Sequence, residues 1–315
     1  MFRTALIGYG KMGRNHARVM AGMANIELIG IFDPFTKETD IPPGIHFYEK
    51  IDDLLTKAID YCVIATPTTS HAQYAFKAIS HGINCLIEKP ITDNYASALQ
   101  IEELAIANDI KVGVGLIERF NPALQEIKKI SLYKLIGDLY QISSIRQGPR
   151  PNQVLDVGVL KDLATHDLDL TTWITKSKFV TLTSELLTNK KNHFEDIANL
   201  IGRLEKNVLT VNQVNWLSPV KIRNFTFTGE KGMLVADLLN QELILHKTGI
   251  TRNQHELFIQ QKGYTEGEVL KFAIDKVEPL LKEHESFQDL ILGRESDIAT
   301  VSEAIYIVKV IEDLI

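Results

Sequence analysis

Over residues 1–119, short apolar runs alternate with longer amphipathic stretches, the pattern of a parallel sheet covered by helices. The runs at 4–7, 26–32, 61–65, 83–87 and 111–114 are rich in Ile, Val and Leu without strict alternation, as strands buried on both faces are. Between them the spacing predicts helices at 13–22, 70–81 and 95–108. A weaker strand at 46–48 and a short helix at 51–57 fill the remaining gap.

From residue 120 the periodicity changes. A helix at 122–130 leads to a strand at 139–146, a loop at Gly148-Pro149-Arg150-Pro151 and a helix at 158–174. Strand-like runs then follow one another at 180–187, 197–204, 208–216, 222–228, 233–237, 243–246 and 256–260, before closing helices at 278–292 and 297–314. Successive strands without intervening helices predict a mostly antiparallel open sheet. The expected architecture is α/β, a doubly wound parallel sheet over 1–119, followed by an α+β domain over 120–315.

Composition narrows the function classes. A chain of 315 residues, 45% apolar and 23% charged, is long enough for two ordinary domains with full cores. A net charge of −6 with no dense Lys/Arg stripe argues against nucleic acid as a partner. No apolar run approaches a membrane span, and the chain opens without a basic segment leading into one, so neither an anchor nor a signal peptide is expected and the cytoplasm is the default. Cys62 and Cys85 lie inside strand-like runs and read as small reduced core residues; no metal-ligand spacing is present.

The chemistry begins at Gly8-Tyr9-Gly10-Lys11-Met12-Gly13, a GxGxxG run directly after the first strand. Gly8 permits a sharp turn, Gly10 lets the backbone approach a pyrophosphate, and Gly13 lets helix and strand pack closely, with the anion on the helix N-terminus. Asp33, after the second strand, stands where a carboxylate accepts hydrogen bonds from ribose hydroxyls and repels a 2′-phosphate, which favours NAD over NADP. The competing readings are a glycine turn without ligand and a turn residue before Pro34.

Three further motifs follow in order: Thr66-Pro67-Thr68-Thr69-Ser70-His71, Glu88-Lys89-Pro90, and Asp162 with His166 on a later helix. With the glycine loop they resemble the Gfo/Idh/MocA oxidoreductases, glucose–fructose oxidoreductase, inositol dehydrogenase and relatives. The resemblance implies a glyceraldehyde-3-phosphate-dehydrogenase-like C-terminal domain and a cis Lys89–Pro90 bond. It also implies homodimers or tetramers formed through the second domain's sheet. It gives His166 the role of base, Lys89 that of polarising group and Asp162 that of support, with Thr66, Pro67, Thr68, His71 and Glu88 beside the cofactor. The stretches Gly115-Leu116-Ile117-Glu118-Arg119-Phe120-Asn121-Pro122, Arg146-Gln147-Gly148-Pro149-Arg150-Pro151 and Asp156-Val157-Gly158-Val159 resemble the subgroup that oxidises the 3-hydroxyl of UDP-N-acetylglucosamine for an aminotransferase.

The residues themselves permit that chemistry. Hydride removal from a secondary alcohol needs a base for the hydroxyl proton and a positive group for the developing alkoxide. Lys89 ends a parallel strand, the edge where ligands lie in open α/β sheets, and Pro90 restricts it to an extended conformation. Asp162 and His166, four apart, share a helix face with Asp169, while Leu160, Leu163, Leu170 and Ile174 form the core stripe. Asp167 falls on that stripe and needs a partner if buried. Arg119, Asn121, Arg146, Arg150, Lys221 and Arg223 are candidate contacts for a substrate diphosphate. The alternatives are an inositol or free-sugar dehydrogenase, and a non-catalytic dinucleotide sensor in which Lys89 and the Asp/His pair are surface residues.

Overall fold

The computed structural model describes residues 1–151, 157–189, 193–249 and 266–315, which fall into two units. The first comprises Met1–Phe120 and Glu278–Asp313. Its parallel strands are β1 (Phe2–Ile7), β2 (Ile26–Phe32), β3 (Phe47–Tyr48), β4 (Tyr61–Ile64), β5 (Asn84–Glu88) and β6 (Val112–Gly115). They lie in the order β6-β5-β4-β1-β2-β3, and the segment Ala299–Thr300 adds an antiparallel edge beside β6. This is a Rossmann-type sheet. The connections reverse between β1 and β4, and such a switch point leaves a crevice outside the carboxyl strand ends.

Helices α1 (Lys11–Ala21), α2 (Ile51–Leu55), α3 (His71–Ser80) and α4 (Tyr95–Ala107) join these strands. Along β1, Ala5 and Ile7 enter one apolar cluster and Leu6 another. Both faces are therefore covered, which is why the strand runs do not alternate in polarity. Cys62 and Cys85 are buried, free, and opposite one another on β4 and β5.

The C-terminal segment departs from the expected 120–315 domain. Leu280, Phe287, Ile298, Val301, Ile305 and Val308 pack into the clusters of the first unit. Amphipathic spacing shows that a helix has a core face but not which sheet it covers. The edge strand Ala299–Thr300 also takes the place expected for the start of the last helix, which runs Val301–Glu312.

The second unit, Asn121–Val277, carries α5 (Pro122–Ile130), α6 (Leu132–Ile136) and α7 (Thr165–Thr175) against an eight-stranded sheet. Its strands are β7 (Leu139–Pro149), β8 (Phe179–Leu187), β9 (Ile197–Leu204), β10 (Leu209–Asn215), β11 (Leu217–Gly229), β12 (Gly232–Asp237), β13 (Glu242–Thr248) and β14 (Glu266–Lys271). The order is β14-β13-β12-β11-β7-β10-β9-β8, antiparallel except for the parallel pair β7–β10. Leu124, Ile142, Trp173, Phe225, Phe227 and Leu245 fill the core on the helix-covered face.

Two expectations are corrected here. The strand from Leu139 continues through Gly148 to Pro149, where a loop was expected, because Pro149 still pairs with Leu217. The helix at 158–174 is divided: a wide π turn at Leu160–Ala164 precedes α7, and α7 is buried nearly all round rather than presenting an open polar face. The run at 256–260 lies outside the described residues. No helix among the described residues is long and apolar enough to cross a membrane.

Candidate active site

The glycine loop is shaped by close backbone approach. Gly8 has φ +98°, and a Cβ there would lie 2.6 Å from the carbonyl carbon of Ala65. A Cβ at Gly13 would lie 2.0 Å from the Gly8 carbonyl oxygen. Gly10, which precedes α1, has nothing within 4 Å of that position, and no side chain caps the helix. The loop thus leaves open space in front of a free helix N-terminus, which suits a dinucleotide pyrophosphate. Lys11 is exposed and Met12 half-buried beside it.

Asp33 ties this loop to the end of β2. Its Oδ2 accepts from the Tyr9 N–H at 2.6 Å, and its Oδ1 accepts from Phe35 and Thr36 N–H at 2.8 Å each. It is a turn residue as well as the candidate ribose acceptor, since each carboxylate oxygen has more than one lone pair.

After β4, Thr66 is half-buried and Pro67 exposed, while Thr68 is buried and starts the Thr68–Ser70 turn before α3. His71 is buried between two main-chain oxygens: Nε2 is 2.8 Å from Thr66 O and Nδ1 is 3.0 Å from Pro90 O. Burial lowers its pKa, opposed by those two carbonyls. The ring thus lies between the loop after β4 and the turn after β5.

That turn is Glu88-Lys89-Pro90, with a cis Lys89–Pro90 bond. Lys89 is half-buried at the carboxyl end of β5. Glu88 is buried, its Oε2 accepting from Lys89 N–H at 3.1 Å and its Oε1 lying 2.9 Å from His16 Nε2. Burial alone would raise its pKa; His16, Lys89 and the Lys89 N–H outweigh this and hold it below the ordinary carboxylate range. The sequence reading missed His16. Its buried place on α1, three residues after Gly13, was the available signal.

In the second unit, Glu195 fixes the start of the π turn. Its main-chain oxygen accepts from Val159 N–H and its Oε1 from Leu160 N–H, both at 3.0 Å. Gly158 makes room for that carboxylate: a Cβ there would lie 2.1 Å from the Glu195 carboxyl carbon and displace it. Asp162 is half-buried on the π turn, and His166 opens α7 at 8% exposure. Their four-residue separation therefore spans a junction of π and α geometry, not one regular α-helical face. Asp169 is buried on the same helix. The buried Asp167 has its partner: it accepts from Arg146 Nε at 2.6 Å and Ser144 Oγ at 2.9 Å, and Asn212 donates to Ser144 at 2.8 Å.

Residues 2–116 match the sequence model of the oxidoreductase family with an NAD-binding Rossmann fold, and residues 124–235 match that of the GFO/IDH/MocA C-terminal domain. The chain belongs to the Gfo/Idh/MocA oxidoreductase family. UDP-N-acetylglucosamine 3-dehydrogenase from Acidithiobacillus ferrooxidans is 32% identical over 176 residues, covering 55% of this chain and 54% of that protein. An inositol 2-dehydrogenase of Corynebacterium glutamicum is 26% identical over 188 residues, covering 57% and 56%. The chain thus matches little more than half the length of these curated relatives. A solved structure of the Acidithiobacillus enzyme superposes with a TM-score of 0.88 over 99% of this chain and 96% of that one, at 23% identity, a likeness of fold.

Within this Gfo/Idh/MocA chain the six candidate substrate contacts divide evenly. Three are buried and have partners within the protein. Arg119 is buried and donates to Glu303 at 3.0 Å; Asn121 caps α5 and donates to Leu238 O at 2.9 Å; Arg146 is committed to Asp167. The other three reach solvent. Arg150 donates to Asp196 at 3.2 Å with its guanidinium over the Trp216 ring, Arg223 donates to Gln147 O at 2.7 Å, and Lys221 is exposed.

Proposed function

We propose that this chain is an NAD-dependent dehydrogenase that oxidises the 3-hydroxyl of UDP-N-acetylglucosamine to the 3-keto sugar. The observation that carries this reading is the Glu88-Lys89-Pro90 turn, which puts Lys89 at the carboxyl end of β5 in a sheet whose glycine loop leaves room for a pyrophosphate. NAD, when bound, supplies the hydride acceptor. Asp33 accepts the ribose hydroxyls, and its negative charge disfavours a 2′-phosphate. The Lys89 ammonium stabilises the developing alkoxide, His166 takes the hydroxyl proton, and Asp162 supports His166. Thr66, Pro67 and Thr68 form the loop wall beside the cofactor, and Arg150, Lys221 and Arg223 are left for the diphosphate.

The relative acting on a UDP-sugar, at 32% identity, favours a nucleotide-sugar substrate; the inositol dehydrogenase, at 26%, favours a polyol as the second reading. The open face of the second unit's sheet carries a row in register, Ile201, Val211, Ser143, Thr226, Val235 and Ile244, suited to a homodimer or tetramer. An NAD-linked reaction of this kind fits the cytoplasm. NADH absorbance with UDP-N-acetylglucosamine, myo-inositol and glucose 6-phosphate tests the reading. Turnover of the UDP-sugar supports it, turnover of the polyol alone replaces the substrate, and NAD binding without turnover of any sugar favours the sensor.

A further inference from the structure

Beneath the Lys89 turn runs a chain of side chains, buried from Gln288 inward, that the proposed chemistry does not use. Asn25 Nδ2 donates to Gln288 Oε1 at 2.7 Å, and Gln288 Nε2 donates to Tyr61 Oη at 3.4 Å. Tyr61 Oη lies 3.2 Å from His284 Nδ1, His284 Nε2 lies 3.0 Å from His16 Nδ1, and His16 Nε2 lies 2.9 Å from Glu88 Oε1. Tyr61, His284 and His16 are fully buried.

The chain accommodates a proton order that runs one way. In that order Tyr61 receives from the Gln288 amide nitrogen, which only donates, and passes its own O–H to His284 Nδ1. His284 then donates from Nε2 to His16 Nδ1, and His16 donates from Nε2 to Glu88. Each link has one donor and one acceptor, and the chain ends on an anion without any added proton. Glu88 in turn accepts the Lys89 N–H.

Glu283 lies beside this chain. It is fully buried, neither carboxyl oxygen has a hydrogen-bond partner among the described residues, and it comes within 4.8 Å of ligand atoms of His16 and Glu88. Two carboxylates confined so closely do not both ionise. The cluster has the composition of a cation site. Its geometry argues against one, because both His16 nitrogens are engaged and Glu88 sits at direct hydrogen-bond distance, with no gap for an ion.

We propose that His16 and His284 are positioning residues for Lys89: a one-way hydrogen-bond chain pins the Glu88 carboxylate and, through it, the backbone of the Lys89 turn, with Glu283 a neutral neighbour outside the chain. The positioning role rests on the reading of Lys89 as the polarising group. In this arrangement both histidines are neutral with the proton on Nε2, Glu88 is the only anion of the cluster, and Glu283 is a neutral acid. Burial and then the Glu88 charge push Glu283 well up, as a neutral acid requires, and burial above all pushes His284 well down. The titratable groups around the chain are Glu88 on β5, His16 on α1, Tyr61 on β4, and Glu283 and His284 on the helix Pro279–Ile291. His71 secures the other side of the turn through Pro90 O.

Nitrogen-15 NMR of histidine-labelled, NAD-bound protein tests the proton order, with His16→Gln and His284→Gln assigning the signals. Both imidazoles should stay neutral with Nε2–H between about pH 6 and 8; an imidazolium or an Nδ1–H form at either overturns the proposal. Kinetics test the positioning. His16→Leu should lower kcat about 100-fold with the Kd for NAD within about threefold, and His16→Gln, which returns a donor to Glu88, should recover about tenfold of the loss. Glu283→Gln, neutral and of the same shape, should keep kcat and its pH profile within about twofold. Loss in Glu283→Gln matching His16→Leu overturns the proposal, as does stoichiometric divalent metal by elemental analysis. A parallel loss of NAD affinity and kcat in His16→Leu also overturns it. If the wild-type protein turns over no substrate, the functional reading fails while the NMR still decides the proton order.

Discussion

The two units hold their polar chemistry in different ways. In the first, the cofactor cradle is made of backbone: Gly8 and Gly13 leave no room for a Cβ, and Gly10 leaves open space. In the second, candidate chemistry is carried by side chains on the π turn and on α7, a helix whose polar residues are themselves buried. Thr171 and Thr175 on α7 satisfy their hydroxyls on carbonyls four residues back, and Asp167 is matched by Arg146. A backbone cradle is specified by a few adjacent glycines, whereas a buried polar helix is specified by partners on distant strands.

That contrast can be broken or sharpened by mutation. The largest effect is expected at the candidate catalytic side chains: Lys89→Ala and His166→Ala should each lower kcat by about 10²–10⁴-fold. Isothermal titration should find NAD affinity nearly intact in both. Next comes the internal pair of the second unit. Arg146→Ala strands the buried Asp167 and should cost about 3–5 kcal/mol in denaturant unfolding; a diphosphate contact would instead raise KM and leave stability alone. In the first unit, Gly13→Ala should lose NAD binding and about 1–3 kcal/mol of stability through the clash with Gly8. Gly10→Ala should fold normally and weaken NAD alone.

The smallest effect is expected at the last helix, where Thr300 and Glu303 form a capping box and Glu303 also receives Arg119. Thr300→Ala should cost about 1 kcal/mol. Burial opposes ionisation of Glu303, but Arg119 and Thr300 outweigh it and hold its pKa below the ordinary glutamate value. Its contribution is therefore present above that ordinary value and lost as pH falls through the lowered one. Thermal melts of wild type and Glu303→Gln should converge toward acid.

Most of the first unit was legible because its signals are local. Apolar runs mark both-face-buried strands, and the glycine spacing marks the turn into α1. The Glu88–His16 contact was not legible, since it joins residues 72 apart, and His284 meets His16 across 268. Nor did periodicity reveal that Glu278–Asp313 returns to the first sheet. In the second unit, the need of Asp167 for a partner could be read from its place on an apolar stripe, but not that Arg146 supplies it, because charge alone does not distinguish an ion pair from an anion site. The π turn depends on Glu195, more than 30 residues downstream, and leaves no mark in the local spacing.

A double-mutant cycle on turnover of UDP-N-acetylglucosamine, comparing wild type, Lys89→Ala, His166→Ala and the double variant, tests most directly whether the two side chains serve one chemical step. The account predicts that the double variant is little slower than the slower single variant, as for residues that act as a unit. Losses that multiply, or a single variant with wild-type kcat, would contradict it.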